Sequence, residues 1–399
     1  MEIKDLVKKY DAYIRGLRRE FHAHPELSFS EVQTTQRIAA ELTKLGIPYE
    51  IDPEKNTGLV AVIEGAQPGR AIGLRADIDG LPVREATGLA CASQNPGVMH
   101  ACGHDGHIAV LLGAARMLLD CRKRLCGTVY LVFQPAEEIG QGAPYMMRFG
   151  DWFDRVDTMF GGHLWVDVPA GKVSVEAGER MAAGDRFRIL VHGRSGHGAQ
   201  PQQTVDAVVA ASAIVMNLQT VVSRRFSPVE SVLITVGTFH SGDRFNIISG
   251  EAELAGITRY FDSRIREKLR QTIEQVVRET AAAYGATAEL EYTKMIPPVV
   301  NDAAASAIAA QAVKKVLGAE ALTLMTKTTG GEDFAWYLEK KPGCFAFFGI
   351  NDPARGITAS HHSDHFTVDE DMLAGGAGIY AQYALDWLAA QTQPAAAQP

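Results

Sequence analysis

Cysteine is scarce in this chain and odd in number. Cys91, Cys102, Cys121, Cys126 and Cys344 are the five in 399 residues, and their spacing matches no disulfide framework. A basic segment followed by an apolar one is missing from the N-terminus: Met1-Glu-Ile-Lys-Asp5 is polar and continues as helix, so no secretory signal is expected. No uninterrupted apolar run approaches the roughly 20 residues that span a bilayer. No basic run exceeds Arg122-Lys-Arg124, and the net charge is −8. Nucleic acid and anionic membrane are therefore poor candidates as partners. The expected compartment is a reducing cytoplasm. No internal repeat is visible.

What is present is core-forming material. Apolar residues make up 46% and charged residues 22%, an ordinary globular balance, and the length suits two domains. Residues 6–21 and 30–45 have helical apolar spacing, closed by Pro25 and Gly46. Residues 59–63, 71–78 and 128–133 read as buried strands, 108–119 as a helix, and 157–162 leads into a further strand. This alternation predicts an α/β domain with a mixed sheet and helices on both faces. From residue 187 the order changes to strand 187–192, helix 204–222, strands 231–239 and 252–261, helix 264–284 and strand 288–292. That is βαββαβ, the ferredoxin-like arrangement. The pattern then returns to helices 303–317 and 332–339, strand 345–348 and helix 371–390. The expected division is a catalytic domain at 1–183 and 294–399, with an inserted domain at 184–293. Residues 392–399 read as a disordered tail.

Chemistry-bearing residues gather at the ends of the apolar runs. His100-Ala-Cys-Gly-His104-Asp-Gly-His107 puts one cysteine and three histidines in eight residues, just ahead of a helix whose N-terminus favours a thiolate. Gln134-Pro-Ala-Glu137-Glu138 follows a buried strand, where open α/β sheets bind ligands. Two adjacent carboxylates there can divide labour, one holding a metal and the other activating water as general base. His163 ends another strand, and Ser360-His361-His362-Ser363 leads to His365, of which one or two can be ligands. Thiolate, imidazole and carboxylate together suit borderline divalent metals without choosing among Zn, Mn, Co and Ni. His100 and His107 are assigned supporting roles, His22 and His24 structural ones, and Cys121 and Cys126 are expected to be inert. In the inserted domain His197 lies in a loop suited to an anion. Asn246 adds an amide and Arg259 a guanidinium fit for a substrate carboxylate.

The motifs Arg75-Ala-Asp77-Ile-Asp79-Gly-Leu-Pro82, Met99-His-Ala-Cys102-Gly-His104-Asp, Gln134-Pro-Ala-Glu137-Glu138 and Gly162-His163-Leu-Trp165 resemble a branch of the co-catalytic metallopeptidases. So do His197-Gly-Ala-Gln-Pro201, Phe245-Asn246-Ile-Ile248, Gly331-Glu-Asp-Phe334 and His361-His362. That branch contains aminoacylases, hippurate hydrolases and auxin-conjugate hydrolases. The resemblance spans nearly the whole chain. It implies metal ligation by Cys102, His104, Glu138, His163 and His362, with Glu137 as general base and two metal ions. Where distant relatives carry His-x-Asp this chain has Arg75-Ala-Asp77, which implies that Asp77 orients a ligand. Gly331 stands where relatives often have Ser, and Ser363-Asp364 where many have Pro. The related enzymes commonly dimerise through the inserted domain, with the His197 position serving the neighbouring subunit. The helix at 204–222, apolar almost all round, and an edge strand beside it fit that arrangement.

The expected function is therefore metal-dependent hydrolysis of an N-acyl amino acid, with Glu137 as base, His197 stabilising the oxyanion, and Asn246 and Arg259 holding the substrate. A dipeptidase or carboxypeptidase of the same family is the alternative. A thiol amidase with Cys102 as nucleophile, and a non-enzymatic binding protein, are the rivals from other classes; the intact Glu137 speaks against the last.

Overall fold

The computed structural model describes residues 2–390; the tail expected at 392–399 lies outside them. The chain divides into two compact units, one comprising the residues up to Gly178, Val300–Thr326 and those from Asp333 onward, the other Glu179–Val299 and Lys327–Glu332. The smaller unit thus reaches beyond 184–293 at both ends and takes back a short loop from the C-terminal part.

The larger unit is built on a seven-stranded sheet. Its spatial order is Tyr49–Ile51, Leu59–Glu64, Cys126–Gln134, Gln67–Asp77, Thr158–Pro169, Gly343–Asn351 and Val173–Ser174. The four central strands run parallel and the outer ones antiparallel. Strands covered on both faces read as continuous apolar runs rather than alternating ones, as Leu131-Val-Phe133 and Phe345-Ala-Phe347 do. The helix His104–Asp120 is buried on nearly every side and packs between Ile3–His22 and Asp371–Ala390. It starts four residues before the expected 108 because Gly103, at φ +93°, makes the left-handed turn that admits His104 to the first turn.

Other differences have local causes. The short edge strands Tyr49–Ile51 and Val173–Ser174 are too brief for any periodicity to register. The helix expected at 332–339 shrinks to Ala335–Leu338. Asp333 is committed elsewhere: its carboxylate accepts from Arg75, Gln134 and the Ala143 amide at 2.8, 2.8 and 2.9 Å.

The smaller unit is a four-stranded antiparallel sheet ordered Val232–Ser241, Glu251–Tyr260, Ala183–His192 and Thr287–Ile296. Helices Ala207–Thr220 and Arg266–Ala283 cover one face, over Phe187, Ile189, Val191 and Leu254. The ferredoxin-like order expected of this segment is the order found. Ala207–Arg225, although interrupted by Ser212, Asn217 and Gln219, is by length and composition alone long and apolar enough to cross a membrane. In the folded unit Ala207, Ala210, Ala211, Ile214 and Leu218 pack in the core.

Phe160, on a central strand, stacks on Tyr383 at 4.2 Å and meets Tyr380 edge-on at 4.8 Å. Phe160→Ala should destabilise the larger unit by about 3–5 kcal/mol, read as a lower urea midpoint; an unchanged midpoint would show that the aromatic stack is not part of the core's stability.

Candidate metal centre

Parallel strands place their C-terminal ends on one edge, and the candidate residues collect there. Asp77 ends one strand, Gln134 the next, and His163 lies at the middle of the third. The turn after Gln134 carries Glu137 and Glu138. His104 opens the central helix, and His362 sits in a turn with φ +65°, a backbone state that costs a histidine energy and recurs at functional sites.

The five residues assigned to metal binding converge. Ligand atoms of Cys102, His104 and His163 lie within 4.8 Å of one another, as do those of Cys102, Glu138 and His362, and those of His104, Glu137 and Glu138. Cys102 Sγ is 3.4 Å from His163 Nε2. Glu138 turns one oxygen towards His104 Nε2 at 3.8 Å and the other towards His362 Nε2 at 3.3 Å.

The surrounding hydrogen bonds decide which atoms are left to bind. His163 Nδ1 donates to the Leu164 carbonyl at 2.8 Å, which leaves Nε2 as a lone pair facing Cys102. His104 Nδ1 donates to Asp79 Oδ1 at 3.1 Å. His104 Nε2 and Glu138 Oε1 are buried and have no hydrogen-bond partner among the described residues. Leaving such groups unpaired is costly unless a cation takes them, so this donor set fits divalent metal.

Electrostatics say the same. Burial and the neighbouring His107 and His361 hold His163 well below the usual imidazole range, hence neutral. Burial opposes charge on His104 too, but Asp77, Asp79 and Glu138 outweigh it and lift His104 to about 10. Burial pushes Glu138 up to about 7. Burial, reinforced by Glu138 and Glu137, raises the Cys102 thiol well above its ordinary value. A thiol so placed is a poor nucleophile on its own, which counts against the Cys102 amidase; beside a cation it becomes a thiolate ligand.

One assignment changes. Asp77 was expected to orient a ligand, but its Oδ1 accepts from His107 Nδ1 at 2.5 Å and its Oδ2 pairs with Arg75. His107 is itself tied at its other nitrogen, which accepts the Leu164 amide at 3.0 Å. The residue that orients His104 is Asp79, fully buried, which also accepts from Ser28 and from the Glu138 amide. The signal was available: Arg75, Asp77 and Asp79 alternate along an extended segment and so face one side.

Of the other histidines of the larger unit, all but His100 have a partner. His361 Nε2 donates to the Leu164 carbonyl at 2.9 Å, and His365 pairs with Asp364. His22 lies between Asp105 and Glu85 beside Arg18, and His24 bonds the Glu20 carbonyl. His100 is buried with neither ring nitrogen bonded.

In the smaller unit a two-residue ladder, Ile247–Ile248 against Gly196–His197, brings His197 beside Asn246; the Gly198 amide donates to the Asn246 carbonyl at 2.9 Å. Arg259 sits at the other end of the central strand, paired in register with Gly184. It is half-buried, and burial alone lowers its pKa, with no carboxylate contributing.

Comparison with known proteins decides the family. The model of peptidase family M20/M25/M40 matches residues 73–386. The chain belongs to that family. It is 38% identical over 382 residues to the N-acetylcysteine deacetylase of Bacillus subtilis, covering 95% of this chain and 97% of that protein. It is 37% identical over 388 residues to the thermostable carboxypeptidase 1 of Saccharolobus solfataricus, covering 96% and 98%. A crystal structure of the Bacillus subtilis YXEP protein, described as a dinuclear metal-binding peptidase of the M20 family, superposes with a TM-score of 0.86 at 35% identity, over 96% of this chain and 99% of that one. The chain is a metal-dependent hydrolase.

Metal ligands bind in deprotonated form, so metal uptake must displace the protons that His104, Cys102 and in part Glu138 hold without it. Affinity should therefore rise with pH between about 6 and 8, with roughly two protons released per chain. Calorimetry in buffers of different ionisation enthalpy measures this; uptake with no proton release would contradict the ligand set.

Proposed function

We propose that the chain hydrolyses the amide bond of N-acyl amino acids to a carboxylic acid and a free amino acid. The observation that carries this reading is the pair of adjacent carboxylates with different surroundings. Glu138, its side chain nearly buried, divides its oxygens between His104 and His362; Glu137, beside it, brings a carboxylate oxygen into one group with His104 and Glu138. Cys102, His104, Glu138, His163 and His362 would hold the ions, which when bound polarise the scissile carbonyl and acidify water. Zn, Mn, Co or Ni would suit the donors.

Glu137 takes the proton from the attacking water and returns it to the leaving nitrogen. Asp79 keeps the His104 ring turned so that Nε2 is the free nitrogen. The unpaired guanidinium of Arg259 suits the carboxylate of the amino acid, a bidentate match, and Asn246 supplies an amide to the substrate. The same cation would serve a carboxypeptidase or dipeptidase, the second reading, which the likeness to the Saccharolobus solfataricus enzyme supports.

We also read the protein as a homodimer joined through the smaller unit. Val208, Val209 and Met216 stand exposed on the otherwise packed helix Ala207–Thr220, and Val232–Ser241 beside it is an edge strand open to pairing. Arg259 pairs with Gly184 near the start of Ala183–His192, and His197 follows beyond the other end of that strand; the eight residues from Gly184 to His192 alone span about 25 Å, so the two are better suited to serving different active sites. His197 would then stabilise the oxyanion in the partner's site. The five free thiols suit a reducing cytoplasm.

Glu137→Gln should keep its metal yet lose about 10²–10⁴ in turnover; elemental analysis beside kinetics checks this, and near-normal rates would mean that the two glutamates are misassigned. Cys102→Ser should bind metal more weakly and regain activity in excess metal, whereas irrecoverable loss with unchanged metal content would revive the thiol mechanism. Mixing Glu137→Gln with His197→Ala subunits should restore activity, because each mixed dimer holds one complete site. Confirmed subunit exchange without recovery would rule out action across the dimer.

A further inference from the structure

The turn that carries Glu137 and Glu138 is held by three buried carboxylates from distant parts of the larger unit. The Ala136 amide donates to Glu31 Oε1 at 2.8 Å, the Glu138 amide to Asp79 Oδ2 at 3.1 Å and the Ala143 amide to Asp333 Oδ2 at 2.9 Å. Asp79 and Asp333 have further duties, towards His104 and towards Arg75 and Gln134. Glu31 does not: its other oxygen accepts from the Thr57 hydroxyl at 2.6 Å. It is fully buried, and among the described residues no cation is paired to it, an unfavourable place for a carboxyl group that serves packing alone.

What Glu31 holds is a strained residue. Ala136 has φ +55° and is fully buried; the left-handed region is unfavourable for any residue with a Cβ. Ala136 also closes the turn with its carbonyl, which accepts the Gln141 and Gly142 amides at 3.3 and 3.1 Å. Its conformation sets the direction in which the next residue, Glu137, leaves the backbone. Glu31 is itself fixed, since its carbonyl accepts the Thr35 amide and hydroxyl at 2.9 and 2.7 Å.

We propose that Glu31 is a positioning residue for the general base, holding Ala136 in its left-handed state so that Glu137 points at the reacting water. This rests on Glu137 being the base. Glu138 keeps its own anchor on Asp79, so Glu31 acts on the base and not on the metal ligand.

The test is steady-state hydrolysis of an N-acetyl amino acid, with metal content, by the full chain. Glu31→Ala should lower kcat about 10- to 100-fold, as small misplacements of a catalytic group do, with KM and metal content within about twofold of the parent. Glu31→Gln should recover most of the rate, because its amide oxygen can accept the Ala136 N–H while its NH2 donates to Thr57. In a Glu137→Gln background, Glu31→Ala should cost nothing further. An unchanged kcat, a loss of metal parallel to the loss of rate, a Gln variant as slow as the Ala variant, or an additive loss in the double variant would each overturn the proposal. Should Glu31→Ala fail to fold, Thr57→Val loosens the same carboxylate and should lower kcat in the same pattern; an unaffected rate there overturns it equally. Near-normal turnover by Glu137→Gln alone would instead remove the base assignment, whatever Glu31 does.

Discussion

Like charges crowded into a dry interior are the constraint on which the larger unit depends. Asp77, Asp79, Asp105 and Asp333 are fully buried within one region, and Glu31 and most of Glu138 with them. Carboxylates cannot be taken out of water in such numbers without compensation. Arg75 meets part of the demand by bonding Asp77, Gln134 and Asp333 at once, and Arg18 meets another part at Asp105. Backbone amides take up Glu31 and much of Asp79. What none of these reaches is the space between His104 Nε2 and Glu138 Oε1. A divalent cation held by these residues would complete the balance and supply the charge that polarises a substrate carbonyl.

The fold serves this arrangement by bringing strand ends together. Four parallel strands deliver their C-terminal residues to one edge, and the helix His104–Asp120 presents its first turn there. Helix and strand fix the imidazoles of His104 and His163, while Cys102, the glutamates and His362 come from turns, with left-handed residues at Ala136 and His362. Rigid elements thus set the ligands that must not move, and strained turns set the groups that need an unusual direction.

The sequence made the elements with strong apolar runs legible, and with them the succession of main strands and helices along the chain; helix 303–317 appears as Ala303–Leu317. It did not reveal edge strands of two or three residues, whose length leaves no period to detect, or the loss of helix at Asp333, which follows from bonds to residues about 200 and more positions away. The candidate site was readable where residue type is itself the signal, in cysteine, histidine and paired glutamates. The supporting carboxylates were less so: Glu31 looks like an ordinary polar residue until its partner amide is known, and the alternation that puts Asp79 on the same side as Asp77 does not say which imidazole it meets. Asp77 illustrates the limit: its motif pointed to the site, but which imidazole it serves is decided by a register that only three dimensions supply.

The central claim is that Cys102, His104, Glu138, His163 and His362 form a centre for two cations with the thiol as ligand. Titrating metal-stripped protein with Co(II), while following hydrolysis and the thiolate-to-cobalt charge-transfer absorption together, tests it most directly. The account predicts saturation at two equivalents, as in a dinuclear relative, with activity restored and the absorption abolished by Cys102→Ser. Full activity in the stripped protein, or restored activity without any thiolate absorption, would contradict it.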